Sequence, residues 1–310
     1  MKHWISAMRL RTLPLSFSNI LLGSALAYSL SNSPMWNREK FSWTIFTLTL
    51  LTTLLLQILS NFANDYGDAK KGADNADRIG PERAIQSGLI SPKDMLRAII
   101  ITALLALISG IFLLLESFDY QVDWTFISFV LLGLLTIAAA IKYTVGKGAY
   151  GYSGLGDLFV FIFFGIVGVL GPIYLQLHEV HMALIIPAIT MGCFSVAVLN
   201  LNNMRDRAND QKVGKNTLAV KFGFKGSKIY HFILFIIAYS TFPVLLLWIG
   251  ITEGSYLYFL VAVLPIFVIH VIHLRKVYLT KDPKDFDPEL KKIALSAFLF
   301  SMLYFIVVIF

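Results

Sequence analysis

Two short acid-bearing stretches hold the residues best suited to chemistry: Asn64-Asp65-Tyr66-Gly67-Asp68, and Asn202-Asn203-Met204-Arg205-Asp206, which runs on to Asp210. Each sets an amide and an aspartate four residues apart, and a four-residue step puts both side chains on one face of a helix. In the second stretch Asn202, Asp206 and Asp210 continue the step, so an amide and two carboxylates share one stripe. Such hard oxygen ligands suit Mg²⁺, which keeps several waters and takes one or two carboxylates together with substrate phosphates. Two such faces brought together would hold two ions bridged by one diphosphate. A diphosphate also needs cations, and Arg78, Arg83, Lys212 and Lys215 lie just downstream of the two stretches. Arg suits bidentate phosphate contacts and Lys supplies a point charge. Taken singly, each of these residues also reads as a topology signal, but at least one per loop is expected to meet phosphate.

Carried back into its helix, the first stretch extends to a stripe of Gln57, Asn61, Asn64, Asp65 and Asp68 among apolar neighbours. Polar side chains in an apolar span are costly toward lipid, so the stripe should face other helices or water. For Gln57 and Asn61, hydrogen bonding between helices is an equal alternative to a role in the site. Lys142-Tyr143 closes an apolar run at the same end. It reads either as an anchor with an aromatic-belt residue or as lining of the site. Five glycines between 146 and 156 mark a flexible or tightly turned segment; no strand precedes it, as a phosphate-binding loop would require.

The elements that must position these residues are membrane-spanning helices. The 310 residues are 57% hydrophobic, well above the roughly 45–50% of a soluble domain, and the mean hydropathy is +0.71. Apolar runs of bilayer length fall at 13–30, 43–63, 97–115, 124–141, 158–177, 182–201, 230–250, 255–273 and 293–310. The expected fold is therefore all-α: a polytopic bundle of nine transmembrane helices, with cytoplasmic loops capping a central cavity. All of the 26 Lys and Arg except Arg38 and Lys40 then lie on one side. The positive-inside rule makes that side the cytoplasm, with the amino terminus inside and the carboxyl terminus outside. The net charge of +7 reads as topology and contact with anionic lipid, not as nucleic-acid binding. Ser16, Ser18 and Asn19 interrupt the first apolar run, which argues against a cleaved signal peptide. The one cysteine, Cys193, falls within a span and is expected to be buried and inert. Each acid stretch is followed by basic residues and then by a similar phrase, Gly88–Lys93 in one case and Gly223–Lys228 in the other, and each phrase precedes an apolar run. The chain thus reads as one domain over 1–310, with two pseudo-repeats (spans 1–4 and 5–8) and a ninth span outside them.

In these residues the chain resembles the UbiA-type intramembrane prenyltransferases, which carry two Asp-rich motifs of the form N-x-x-x-D-x-x-x-D. Asn202, Asp206 and Asp210 match it fully. Asn64 and Asp68 match its first two positions, but the third falls on Gly72, with Asp74 two residues later. That shift is similar to the variant in MenA-like 1,4-dihydroxy-2-naphthoate prenyltransferases, as are the phrases Asp77–Pro81 and Gly214–Thr217. The resemblance implies Mg²⁺-dependent transfer of a polyprenyl group from its diphosphate to an aromatic acid, with loss of CO₂, in the inner membrane of a bacterium. It implies metal around Asn64, Asp68, Asp74, Asn202, Asp206 and Asp210, diphosphate at Arg78, Arg83 and Lys215, and Asp65 as a group that orients or deprotonates the acceptor. Asp65, Asp68 and Asp206 are the expected catalytic residues, and Lys142 and Tyr143 are expected beside the substrate. Membrane lipid is the expected surrounding, and no obligate protein partner is implied. The alternatives are an acceptor such as 4-hydroxybenzoate or homogentisate, a polyprenyl diphosphate hydrolase, or, in another class, a secondary transporter. A transporter would bind near the bilayer midplane, whereas these acids lie at span ends.

Overall fold

The computed structural model describes the backbone of residues 2–32, 40–253 and 256–309, and the side chains of these save at 2, 11 and 242–262. Among the described residues the chain is helical and holds no strand. The helices are α1 (Lys2–Met8), α2 (Leu13–Asn32), α3 (Trp43–Lys70), α4 (Pro92–Ser117), α5 (Trp124–Lys142), α6 (Gly156–Val160), α7 (Gly168–Leu177), α8 (Ile185–Lys212), α9 (Leu218–Glu253), α10 (Tyr256–Leu279) and α11 (Phe286–Ile309). A π-helical turn, Phe161–Val167, joins α6 to α7 and makes them one continuous stretch.

Seven stretches of the described residues are long and apolar enough to cross a bilayer, and they coincide with seven of the nine expected spans. The spans expected at 230–250 and 255–273 fall on α9 and α10, but both run through 242–262, outside the residues whose side chains are described. The described residues thus account for seven of the nine expected spans. Arg38 and Glu39, placed on the outer side by the charge pattern, also lie outside the described residues.

Side-chain caps start the helices. Ser42 accepts from Ile45 N to open α3, Ser91 from Asp94 N to open α4 with Pro92 in its first turn, and Asp123 from Phe126 N to open α5. Trp43 and Trp124 stand at two of these starts, 51% and 83% exposed, as interfacial anchors do. At the other ends, α3 and α8 close with one and the same turn. Ala73 N donates to Asp68 O at 2.9 Å, and Lys215 N donates to Asp210 O at 2.8 Å. Gly72 and Gly214 supply the left-handed residue such a turn needs, at φ 70 and 72. Measured from its closing turn, Asp68 thus occupies the place of Asp210. The helix stops before it reaches Gly72, and the chain turns there and brings Asp74 back toward the bundle.

The main core joins α2, α7, α8, α9, α10 and α11 around Leu22, Leu26, Met191, Phe235, Phe286 and Tyr304. A smaller one, around Leu59, Phe62 and Met95, seats α1 on α3 and α4. Cys193 is buried and free, as expected. The carboxyl-terminal helices also share a buried polar seam. The His231 and His273 Nε2 atoms lie 2.8 Å apart, His273 Nδ1 is 2.7 Å from Glu289, and Lys276 and Lys292 pair with the same carboxylate. Such a seam is tolerable because each member has a partner.

Candidate active site

The closing turns of α3 and α8 meet. Lys215, on the loop after α8, sets its Nζ 3.6 Å from Asp68 Oδ2 and 4.0 Å from Asp210 Oδ1. Arg78, on the loop after α3, lies 3.4 Å from Asp74 Oδ1 and 3.9 Å from Asp206 Oδ2. Arg83 reaches three carboxylates: Asp65 at 3.2 Å, Asp68 at 3.1 Å and Asp74 at 3.1 Å. Asn209 Nδ2 ties the loops further by donating to Ala73 O at 2.8 Å. Two segments far apart in sequence therefore form one buried cluster in which acids and bases alternate. Charges taken out of water persist only in such mutual pairing.

The expected residues divide by position. Asp68, Asp74, Asp206, Asp210, Arg78, Arg83 and Lys215 come together in the cluster. Asn64 lines the adjoining cavity and accepts from Thr144 Oγ1 at 3.3 Å. Asn202 Oδ1 accepts from Arg205 Nη2 at 2.6 Å. Asp65 is enclosed by Arg9 and Arg83 and is not part of the cavity wall, so its visible work is to hold two guanidiniums. Tyr143 lines the cavity, whereas its neighbour Lys142 is exposed at the end of α5, outside the cluster. Lys212, too, is turned outward, to an exposed pair with Asp77.

Four participants were not singled out from the sequence. Arg9 crosses from the amino-terminal segment to Asp65. Arg205 holds Asp206 through Nη2 at 2.8 Å and Nε at 3.1 Å, while its Nη1 reaches Asp287 at 2.6 Å. Tyr152 donates to Asp68 Oδ1 at 2.7 Å, and burial, then Asp68 itself, raise its phenol pKa and keep that proton in place. Asn209 is the fourth. Arg205 carried the one legible signal, a basic residue three positions after Asn202 and next to Asp206, where the apolar part of the helix gives way to its polar end. The glycine-rich segment is a tight turn, Tyr150–Tyr152, which presents aromatic rings and no phosphate-binding loop.

The donor set is oxygen only, as Mg²⁺ prefers. Both carboxylate oxygens of Asp74 are buried without a hydrogen bond; the nearby Arg78 and Arg83 lie at ion-pair distance but are not aligned to donate. Burial pushes the Asp74 carboxyl up, with Arg83 pulling the other way. The two guanidiniums offset its charge while leaving both oxygens without a hydrogen-bond donor. Among the described residues no three Asp, Glu, His or Cys side chains converge on a point that could hold a metal ion, because the basic side chains stand between the acids. The set is nonetheless chemically suited to Mg²⁺ accompanied by an anion that draws those basic groups to itself.

Beside the cluster lies a cavity of about 390 Å³. Its near end is polar, with Gln57, Asn61, Asn64, Tyr143 and Tyr150, and its far end is apolar, with Leu113, Leu114, Phe129 and Leu175. Gln57 and Asn61 serve both purposes the sequence allowed: they line the cavity and bond across to α1 and α2 through Ser16, Met8 and Thr12. A charged cluster beside a mostly apolar cavity suits an amphiphile with an anionic head and a hydrocarbon tail.

Comparison with known proteins agrees with that geometry. The chain is 41% identical over 305 residues to a 1,4-dihydroxy-2-naphthoate octaprenyltransferase of Haemophilus influenzae, covering 98% of this chain and 94% of the relative. It is 47% identical over 228 residues to the protein of the same name from Escherichia coli, covering 74% and 71%. In fold it resembles the apo structure of a UbiA homolog from Aeropyrum pernix K1, with TM-score 0.67, 14% identity, and 98% and 99% of the two chains covered. It also resembles a UbiA homolog from Archaeoglobus fulgidus bound to DMAPP and Mg²⁺, with TM-score 0.59, 17% identity, and 96% and 98% covered. The profile of the UbiA prenyltransferase family matches residues 20–303, and the chain, an integral membrane protein, belongs to that family.

Proposed function

We propose that this chain transfers a polyprenyl group from an allylic polyprenyl diphosphate to 1,4-dihydroxy-2-naphthoate, with loss of CO₂, in menaquinone biosynthesis. The observation that carries this reading is the meeting of two Asp-bearing helix ends, through Lys215 and Arg78, beside a mostly apolar cavity that Asn64 lines. The names of relatives at 41% and 47% identity support the choice of acceptor.

In this reading Arg78, Arg83 and Lys215 turn from the carboxylates to the diphosphate, and Asp68, Asp74, Asp206 and Asp210, with Asn64 and Asn202, hold Mg²⁺ directly or through water. Mg²⁺ supplies positive charge against which the diphosphate departs. As the allylic C–O bond breaks, the aromatic rings of Tyr143, Tyr150, Phe159 and Phe163 in the cavity wall face the cation and keep water from it. The electron-rich ring carbon that bears the carboxylate forms the new C–C bond. Loss of CO₂ then leaves its electron pair in the ring and restores aromaticity. Asp65 acts as a positioning residue for Arg83 and Arg9. The basic loops face the cytoplasm of a bacterial inner membrane, with the carboxyl terminus outside.

Mass spectrometry of the product, with several aromatic acids supplied in competition and a polyprenyl diphosphate as donor, tests the assignment. Prenylated, decarboxylated naphthoate should dominate. Preference for 4-hydroxybenzoate or homogentisate would replace the acceptor, and hydrolysis alone would replace the reaction.

A further inference from the structure

Asn19 lies on α2 beside the cavity; it lines the wall yet is only 1% exposed. Its Nδ2 donates to Leu15 O, one turn back, at 3.2 Å. That bond fixes the amide, with nitrogen toward its own helix and oxygen away from it. The oxygen is buried and meets no donor. Other polar groups around it are served: Ser16 and Gln57 by each other, Asn61 by Met8 O, Tyr150 by Ala139 O. A buried carbonyl left without a donor is costly, and native proteins rarely keep one unused. A glycine on the facing stretch lets the side chain sit where it does. Gly168, at the end of the π-helical turn, lies against Asn19, and a Cβ there would come within 3.2 Å of Asn19 Cβ and of Phe163 O. π-Helical turns of this kind gather at functional sites.

The reaction proposed above, on which this rests, selects the missing donor. A metal-bound diphosphate offers oxygens and no hydrogen to donate, and a polyprenyl chain offers none either. The aromatic acceptor carries hydroxyls. We infer that Asn19 Oδ1 accepts a hydrogen bond from a ring hydroxyl of the acceptor, which makes Asn19 a specificity-determining residue for hydroxylated rings. The bond fixes the ring's rotation in the cavity. It also draws the hydroxyl proton away from its oxygen and so raises the electron density of the ring that must attack the allylic cation.

The experiment compares the wild type with Asn19→Leu, which keeps the volume and removes the acceptor. Each receives 1,4-dihydroxy-2-naphthoate and its two monomethyl ethers. The variant should raise KM for the naphthoate about tenfold, the effect of one lost hydrogen bond, with KM for the polyprenyl diphosphate changed less than twofold. In the wild type one ether should lose about tenfold in kcat/KM and the other should not; in the variant that difference should vanish. An unchanged naphthoate KM in a folded variant, or an ether penalty equal in both proteins, would overturn the inference and leave a buried water as the partner of Asn19. If the variant does not fold, the wild type alone decides, since two ethers handled like the parent would overturn it as well. A wild type that prenylates no naphthoate would instead refute the proposed function.

Discussion

Replacing Asp206 by Asn separates a metal-holding role from a structural one. The wild-type carboxylate takes two bonds from Arg205, at 2.8 and 3.1 Å, and faces Arg78 at 3.9 Å. Arg205 keeps Asp287 and Asn202, each at 2.6 Å, whatever happens at position 206. The variant therefore leaves no guanidinium stranded. A hydrogen bond to a charged group is worth about 1.5–3 kcal/mol, and the Asn oxygen retains part of it, so stability should fall by about 1–2 kcal/mol. The protein should remain folded in detergent, with a melting temperature a few degrees lower. Activity should suffer far more. Losing one charge that binds metal under the departing diphosphate should cost at least about 4 kcal/mol at the transition state, roughly a thousandfold in rate. Product formation by chromatography and mass spectrometry across a Mg²⁺ series, with a thermal melt of the same sample, gives both quantities. Near-normal turnover at saturating Mg²⁺ would refute the metal assignment. An unfolded variant would refute the claim that Arg205 stays satisfied.

Arg83→Met removes a cation shared by Asp65, Asp68 and Asp74. Breaking buried pairs from one side costs about 3–5 kcal/mol, so the thermal melt should fall sharply, and a stability unchanged within 1 kcal/mol by the same criterion would show that Arg83 is dispensable to the cluster. Lys142→Ala, by contrast, should leave KM for both substrates within about twofold, because an exposed side chain outside the cluster loses little on truncation; a tenfold rise would restore it to the site.

Local periodicity made most of the architecture readable in advance. The starts expected at 13, 43 and 124 are the starts of α2, α3 and α5, since apolar runs flanked by capping residues have one way to be satisfied in lipid. The four-residue step likewise put Asn202, Asp206 and Asp210 on one helix, where they lie. The apolar run of α3 fades near residue 63, and the helix continues to Lys70 as the stripe from Gln57 to Asp68 implied; packing against Thr144 and buried ion pairs hold that last turn. What could not be read was pairing across the chain. Arg9 is 56 residues from Asp65, and Tyr152 is 84 from Asp68. Neither carries a local pattern that names its partner. The register of the repeat was legible in sequence as Asn64 with Asn202, yet the closing turns match Asp68 to Asp210, since Gly72 ends the first helix a turn sooner.

Helix length sets the depth at which the chemistry happens. Both α3 and α8 are 28 residues long, about 42 Å at 1.5 Å per residue, whereas the hydrocarbon slab is about 30 Å thick, some 20 residues. With Trp43 anchored at one interface, Asn64, Asp65 and Asp68 emerge beyond the opposite edge of the slab; counted from Ile185, so do Asp206 and Asp210. The charged cluster thus rests among lipid headgroups. In the proposed reaction a donor floating in the leaflet and an acceptor dissolved in water can both reach it without crossing the barrier.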